Sequence, residues 1–239
     1  MLGMIPVHDK AHKGPGTIRI MTAKMRIDIY SDTVCPWCFL GKRRFELALA
    51  DRPQYEPRVT WRPFELNPDL PWDGVDRAAY LASKMDAARL SAMEEALQRH
   101  GEAIGLEFRF DLIQRVPNSR RSHLLIAHAG RQGVQSRVKD RVMQAYFQEG
   151  VDIGDLDELV RLGVECGLAD RDTRAALVLR EGQDGVVAAE RHAASLNITA
   201  VPTFVFDGQY TLSGAQDPAS LARILDQVAG YAAAREAAS

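Results

Sequence analysis

The segment that decides the fold is Cys35-Pro36-Trp37-Cys38, which stands between a strand-like and a helix-like stretch. Residues 25–30 alternate apolar with polar side chains and include two isoleucines, which predicts a short strand. Residues 39–50 place leucines and a phenylalanine at helical spacing. Proline suits the first position of a helix because its missing N–H would have no intrahelical partner there. The motif is therefore predicted to open a helix, with Cys35 as its cap.

This placement favours thiol–disulfide exchange at the two cysteines. A sulfur at the cap faces unpaired backbone N–H groups and the positive end of the helix dipole, and both favour a thiolate. Capping cysteines in such motifs have pKa values of roughly 3.5–7.5, so Cys35 is expected to be largely ionised at neutral pH. Cys35 is the predicted attacking residue, and Cys38 is the predicted resolving residue that releases the substrate from a mixed disulfide.

Two other interpretations of the cysteine pair stay open at this point. A zinc site needs further ligands, but the sequence adds only Cys166 and scattered histidines, so no metal is expected. A purely structural disulfide across so short a loop would remove little entropy from the unfolded chain. Cys166 lies in a stretch of helical apolar spacing and is expected to be a buried small side chain.

The composition is that of an ordinary soluble protein. The chain has 239 residues, of which 46% are hydrophobic and 26% charged, and its net charge of −2 gives no basic field for nucleic acid. No stretch approaches the ~18 apolar residues that would span a membrane. Residues 1–24 lack the apolar core of a secretory signal and are expected to be a disordered extension. Three cysteines without such a signal predict a reducing, cytoplasmic location.

The rest of the chain predicts a second strand, a long helical region, a hairpin and a last helix. Residues 58–64 are strand-like, and residues 106–110 are expected to be a short extended piece. Residues 199–214 predict a hairpin that turns at Asp207-Gly208, and Asp217-Pro218 predicts a helix start. Helical spacing recurs, between Gly-, Pro- or Asp-rich breaks, in residues 75–85, 90–104, 120–132, 136–148, 156–166, 172–179 and 182–196.

This order of elements resembles the thioredoxin superfamily, and the long helical region resembles its DsbA-like branch. Four motifs are similar to the FrnE subgroup: residues 30–38, Pro117-Asn118-Ser119 followed by His123, Val201-Pro202-Thr203, and Ser213-Gly214-Ala215-Gln216. The resemblance implies an α/β protein with a thioredoxin fold and a large all-helical insertion. The thioredoxin-like domain would comprise residues 25–63 and 183–239, and the insertion residues 64–182.

The resemblance also implies a substrate-binding surface around the cysteines. Pro202 would follow a cis peptide bond and lie against the sulfurs, and Val201 would offer its backbone to an extended substrate. Pro36 and Trp37 are expected to contact substrate as well, although Trp37 alternatively only covers the motif. Well-known members often have histidine or proline in place of Trp37. An indole offers only an N–H donor and apolar cover, so strong oxidant behaviour is not implied.

Three further side chains near the predicted strand ends and helix starts have open roles. Asp32 and Glu65 are either buried proton acceptors for Cys38 or surface carboxylates. His123 either lines the cleft beneath the insertion or is an ordinary helix histidine.

The sequence thus predicts a DsbA-family thiol–disulfide oxidoreductase that exchanges disulfides with proteins or small thiols, as a monomer or homodimer. The predicted exchange reaction requires no cofactor, although glutathione can serve as its co-substrate. One alternative is a glutathione-dependent isomerase of small aromatic compounds, similar to the 2-hydroxychromene-2-carboxylate isomerases, which usually have serine at the position of Cys35. A non-catalytic peptide binder is a second alternative, supported only by three methionines of the helical region: Met85, Met93 and Met143.

Overall fold

The computed structural model describes residues 25–237. In chain order its elements are β1 (Arg26–Ser31), α1 (Pro36–Ala50), β2 (Arg58–Pro63), β3 (Val75–Asp76), α2 (Arg77–Lys84), α3 (Ala87–Glu102), a 3-10 turn (Phe110–Leu112), β4 (Arg115–Val116), α4 (Arg120–Arg131), α5 (Gln135–Glu149), α6 (Leu156–Glu165), α7 (Asp170–Val178), α8 (Gln183–Ser195), β5 (Thr203–Phe206), β6 (Tyr210–Ser213) and α9 (Pro218–Ala237). The described chain therefore combines one mixed sheet with many helices, as the predicted fold class requires.

The central sheet has four strands in the order β2-β1-β5-β6. β1 pairs in parallel with β2 and antiparallel with β5, and β5 pairs antiparallel with β6. Ile27 and Ile29 of β1 are completely buried, and every residue of this inner strand after Arg26 is buried. Helix α1 packs on the sheet through Phe45, whose ring centre is 5.4 Å from that of Phe204. The sheet thereby fixes the helix that begins at the cysteine motif.

Aromatic side chains of the helical region pack directly against α1. The ring of Phe39, one residue after the motif, stacks on Phe147 of α5 at 5.4 Å between centres. Phe108 meets Phe39 edge-on at 5.8 Å. These rings belong to one continuous hydrophobic core that joins the sheet and the helical region. The helical region is therefore positioned to contribute side chains to the cysteine site.

The predicted helices are present, with ends that differ by a few residues. Residues 106–109 of the predicted extended piece form no strand, and Phe110 already belongs to the 3-10 turn. Residues 75–76, predicted as helix, instead form β3, which pairs with β4. A two-residue bridge of this kind leaves no periodic pattern, so the sequence could not indicate it. The predicted turn is present, and Asp207 and Gly208 both have positive φ, 50° and 71°.

Three further expectations meet different outcomes. The extension predicted at residues 1–24 lies outside the described residues. The domain boundaries at residues 63–64 and 182–183 stay a prediction. Within the described chain, every helix is too short or too polar to cross a membrane.

Candidate active site

Cys35 is the N-cap of α1, and Pro36 is the first helical residue, as the sequence predicted. The backbone of Cys35 is extended, with φ −89° and ψ 113°. The carbonyl oxygen of Cys35 accepts hydrogen bonds from the N–H groups of Cys38 and Phe39, at 3.0 and 3.2 Å. This first turn brings Cys38 beneath Cys35. Both are free thiols, and their exposed fractions are only 4% and 1%.

The segment before the hairpin lies against the cysteine pair. The peptide bond between Val201 and Pro202 is cis, and the Cys35 thiol is 3.9 Å from the carbonyl oxygen of Val201. Gly41, one turn further along α1, faces the same segment: a Cβ atom at this position would lie 2.8 Å from Cγ of Pro202. The close approach of helix and loop therefore depends on glycine at position 41.

The two thiols titrate as one unit. A hydrogen bond from Cys35 to Cys38, with burial and the charge on Cys38, raises the pKa of Cys35 well above its ordinary value. Burial also acts to raise the pKa of Cys38, but the bond from Cys35, the charge of Lys139 and the Ser31 hydroxyl together lower it. The singly ionised pair therefore shares one proton between the two sulfurs. The attacking role of Cys35 stays a prediction.

Asp32 lies in the loop before the motif and is fully buried, so its interpretation as a surface carboxylate is wrong. Its carboxylate accepts hydrogen bonds from the N–H groups of Leu66 and Val34, at 2.7 and 3.4 Å. Nε2 of His123 lies 3.4 Å from the carboxylate, without the alignment of a hydrogen bond. Burial acts to raise the pKa of Asp32, but His123 and the N–H donor of Leu66 outweigh it and lower that pKa. Asp32 is therefore a buried negative charge next to the cysteines.

Glu65 is also buried, so the surface interpretation is wrong for this residue too. Its two carboxylate oxygens accept hydrogen bonds from Arg120 at 2.6 and 2.7 Å. A second polar contact, 2.7 Å between the hydroxyls of Thr33 and Ser122, ties the loop before the motif to α4. Because Arg120 occupies both oxygens, Glu65 serves as an anchor for the start of α4 rather than as a free proton acceptor.

Lys139 of α5 is a site residue that the sequence reasoning missed. It is 1% exposed, and burial lowers its pKa to about 8. The charges of Cys38, Asp32 and Cys35 act on it in the opposite direction, which places the ammonium group in their neighbourhood. A signal was present, since Lys139 lies three and four residues before the buried Val142 and Met143, on the apolar face of the predicted helix.

The outer side of the motif is formed by Trp37 and an apolar cavity. Trp37 is half-buried, and its ring centre lies 6.1 Å from that of His100 in α3. A cavity of about 110 Å³ borders the motif at Val34 and Pro36. Its remaining walls come largely from the helical region: Leu66, Asn67, Arg77, Tyr80, Leu81, Met93, Glu94, Phe110, Ile113, Val116, Tyr146 and Phe147.

Cys166, in contrast, is buried at the end of α6, as predicted.

A cysteine pair at the start of the first helix, facing a loop with a cis proline, defines a protein with the thioredoxin fold. The model of the DsbA-like thioredoxin domain matches residues 26–226 of this chain. The uncharacterized protein YwbO of Bacillus subtilis (strain 168) is 33% identical over 192 residues, which cover 80% of this chain and 90% of YwbO. The chain belongs to the DsbA-like thioredoxin domain family.

Solved structures support the same assignment. A probable DsbA oxidoreductase from Streptomyces coelicolor is 34% identical, with a TM-score of 0.79 over 86% of this chain and 90% of that protein. The cytosolic disulfide reductase DsbM from Pseudomonas aeruginosa, solved with GSH, superimposes with a TM-score of 0.63 over 84% of this chain and 98% of DsbM. Because DsbM is only 18% identical to this chain, its similarity shows the fold alone. The predicted thioredoxin fold with a helical insertion is confirmed.

Proposed function

We propose that this protein is a thiol–disulfide oxidoreductase whose redox centre is the Cys35–Cys38 pair. The observation that carries the proposal is the pair itself: two free thiols in the first turn of α1, with the outer sulfur 3.9 Å from the Val201 carbonyl oxygen. Cysteines at helix starts react as thiolates, and a second thiol one turn inward can resolve the resulting mixed disulfide.

In the reducing direction the cycle has two displacements. The Cys35 thiolate attacks one sulfur of the substrate disulfide, so a bond from Cys35 to the substrate forms and the second substrate sulfur leaves as a thiolate. Cys38 then loses its proton and attacks Cys35, which forms the Cys35–Cys38 disulfide and releases the first substrate sulfur. The substrate gains two electrons and the protein loses two, while solvent supplies protons to the released thiolates. The oxidising direction is the reverse.

The substrate-binding roles of Pro36, Trp37, Val201 and Pro202 are part of the proposal. The carbonyl of Val201 is the backbone group next to the Cys35 sulfur, which suits an extended substrate chain that pairs with it. Pro36 borders the apolar cavity, and Trp37 is half-buried next to His100 of α3. Substrates would be proteins or small thiols in a reducing, cytoplasmic compartment. That the structure of DsbM holds GSH favours glutathione as a co-substrate here.

The test is the reduction potential of the cysteine pair, measured by equilibration in glutathione buffers with alkylation and mass spectrometry. A reversible two-electron transition confined to Cys35 and Cys38 is expected, and it disappears in Cys35→Ser. A potential near −120 mV would indicate an oxidant and one near roughly −270 mV a reductase. Glutathione-dependent turnover of a small aromatic substrate that survives Cys38→Ser would instead favour the isomerase alternative.

A further inference from the structure

The segment that faces Cys35 is a bend closed by a side chain. The Thr203 hydroxyl donates a hydrogen bond to the carbonyl oxygen of Ala200 at 2.8 Å, and this bond spans Val201 and Pro202. Thr203 is the first residue of β5 and is 1% exposed, so the sheet holds one end of the bend. The hydroxyl therefore fixes the other end of the bend relative to β5.

The neighbouring strand β6 holds the same hydroxyl. Ser213 lies opposite Thr203 in the pairing of β5 with β6, and the two hydroxyl oxygens are 2.9 Å apart. Thr203 has one hydroxyl proton, which goes to Ala200, so Ser213 is the donor between the two hydroxyls. The N–H of Gly214, the next residue, donates to the carbonyl oxygen of Pro202 at 2.8 Å. The end of β6 thus supports the bend at two points.

Val201 is the residue of the bend whose backbone is available to a substrate. Within residues 25–237 its N–H and carbonyl bond to no other backbone group, and its carbonyl oxygen lies 3.9 Å from the Cys35 sulfur. Val201 is half-buried, so a peptide that approaches Cys35 can reach these groups. A hydrogen bond to a carbonyl weakens steeply when its angle is poor. Pairing of an extended peptide with Val201 therefore depends on how the bend orients that residue.

We propose that Thr203 is a positioning residue for disulfide exchange with extended peptides. Its hydroxyl orients the backbone of Val201, and a peptide substrate pairs with that backbone while Cys35 attacks its disulfide. Without the hydroxyl the Ala200 carbonyl loses its donor, and because Ala200 is exposed, this carbonyl turns to water instead. The peptide groups of Val201 are then free to rotate. The inference rests on the oxidoreductase function proposed above.

Thr203→Val tests the role of the hydroxyl with two disulfides. Valine keeps the branched shape of threonine and suits a strand, but it cannot donate to Ala200. Single turnovers of the reduced protein are followed with the disulfide of a short alanine-rich peptide and with Ellman's reagent, which has no peptide N–H. The half-saturating concentration of the peptide disulfide is expected to rise about three- to tenfold. The rate with Ellman's reagent is expected to stay unchanged.

Three further variants isolate the hydrogen bond. Thr203→Ser keeps the hydroxyl and is expected to restore the wild-type behaviour. Thr173→Val is the matched control, since it removes another buried threonine hydroxyl, which has no hydrogen-bond partner within residues 25–237, and neither reaction should change. Ser213→Ala removes the donor to Thr203 at an exposed position. It is expected to raise the half-saturating peptide concentration less than Thr203→Val does, because Ala200 keeps its donor.

The outcomes separate this inference from the proposed function. If the wild-type protein reduces neither disulfide, the oxidoreductase function itself is wrong. If the wild-type protein reduces both, the role of Thr203 is overturned by a Thr203→Val protein that is unchanged, or that is impaired equally with both disulfides. A Thr203→Ser protein as impaired as Thr203→Val overturns it as well. If Thr203→Val does not fold, an unchanged half-saturating peptide concentration in Ser213→Ala overturns the role.

Discussion

The sulfur of Cys35 lies 3.9 Å from the carbonyl oxygen of Val201, although 166 positions separate the two residues in the chain. The contact joins the start of α1 to the segment before β5, which pairs with β1 in the middle of the sheet. One side of the cysteine pair is therefore backbone that the sheet holds in place. Substitutions at this contact, at the buried Cys38 and Asp32, and at Trp37 are expected to have separable effects on stability, thiol titration and substrate binding.

Gly41→Ala tests the approach of α1 to the cis-proline segment. The added methyl group would lie 2.8 Å from Pro202 and 3.3 Å from Ala215, so the segment must move away from the cysteines. We expect a loss of about 1–3 kcal/mol in the free energy of unfolding, and slower disulfide exchange. Gly230→Ala in α9 is the control, since nothing lies within 4 Å of its added Cβ. In urea unfolding, Gly230→Ala should gain up to about 1 kcal/mol in the free energy of unfolding. Equal changes in stability and in exchange rate in the two variants would contradict the prediction.

Cys38→Ser tests the sharing of a proton between the two sulfurs. The hydrogen bond to Cys38 and the charge on Cys38 both raise the pKa of Cys35, and the serine variant removes the negative charge. We expect Cys35 to titrate as a single group with a pKa below the second ionisation of the wild-type pair, because the helix start then stabilises its thiolate alone. The rate of alkylation as a function of pH measures this.

The control for that titration is Cys166→Ser. Burial raises the pKa of Cys166, and its sulfur lies 3.7 Å from the carbonyl oxygen of Arg137. Its replacement should leave the titration of the pair unchanged. A Cys35 that titrates at the same high pH with and without Cys38 would show that the pair does not share a proton.

Asp32→Asn tests the buried carboxylate through the pH dependence of stability. The pKa of Asp32 is lowered in the folded protein, so ionised Asp32 stabilises the fold above its unfolded pKa, and this contribution is lost as pH falls through the folded value. Urea unfolding at decreasing pH should therefore show a steeper loss of stability for the wild-type protein than for Asp32→Asn. Asp157→Asn, at a side chain that is 80% exposed, should follow the wild-type curve. Parallel curves for wild type and Asp32→Asn would contradict the assignment.

Trp37→Ala tests the outer rim of the site. If Trp37 contacts extended substrates, its loss should raise KM several-fold for a peptide disulfide while changing the reaction with oxidised glutathione much less, since a small disulfide covers less of the indole. Trp72→Ala is the control. Trp72 is also half-buried, but it lies between the guanidinium groups of Arg121 and Arg180, at 4.8 and 4.2 Å from its ring. An equal rise of KM in both variants would assign Trp37 a purely structural role.

Local sequence signals determined much of this protein. The β-branched alternation before the motif and the proline after Cys35 identify β1 and the start of α1, because they act on the backbone of adjacent residues. Asp217 likewise caps α9, since its carboxylate accepts a hydrogen bond from the N–H of Ser220 at 2.9 Å. The cysteine pair needs only this local geometry, so its place at a helix start could be predicted.

What lies around the pair was decided by the tertiary structure. Asp32 and Glu65 look like ordinary polar residues in the sequence, yet both are buried because loops and helices far along the chain cover them. Lys139 reaches the neighbourhood of Cys38 only because α5 packs on α1 through Phe147 and Phe39. Burial and the distance between charges determine pKa values, and both are properties of the packed chain. The sequence alone therefore determined where the cysteine pair lies on α1, and the tertiary structure decided which charged groups surround it.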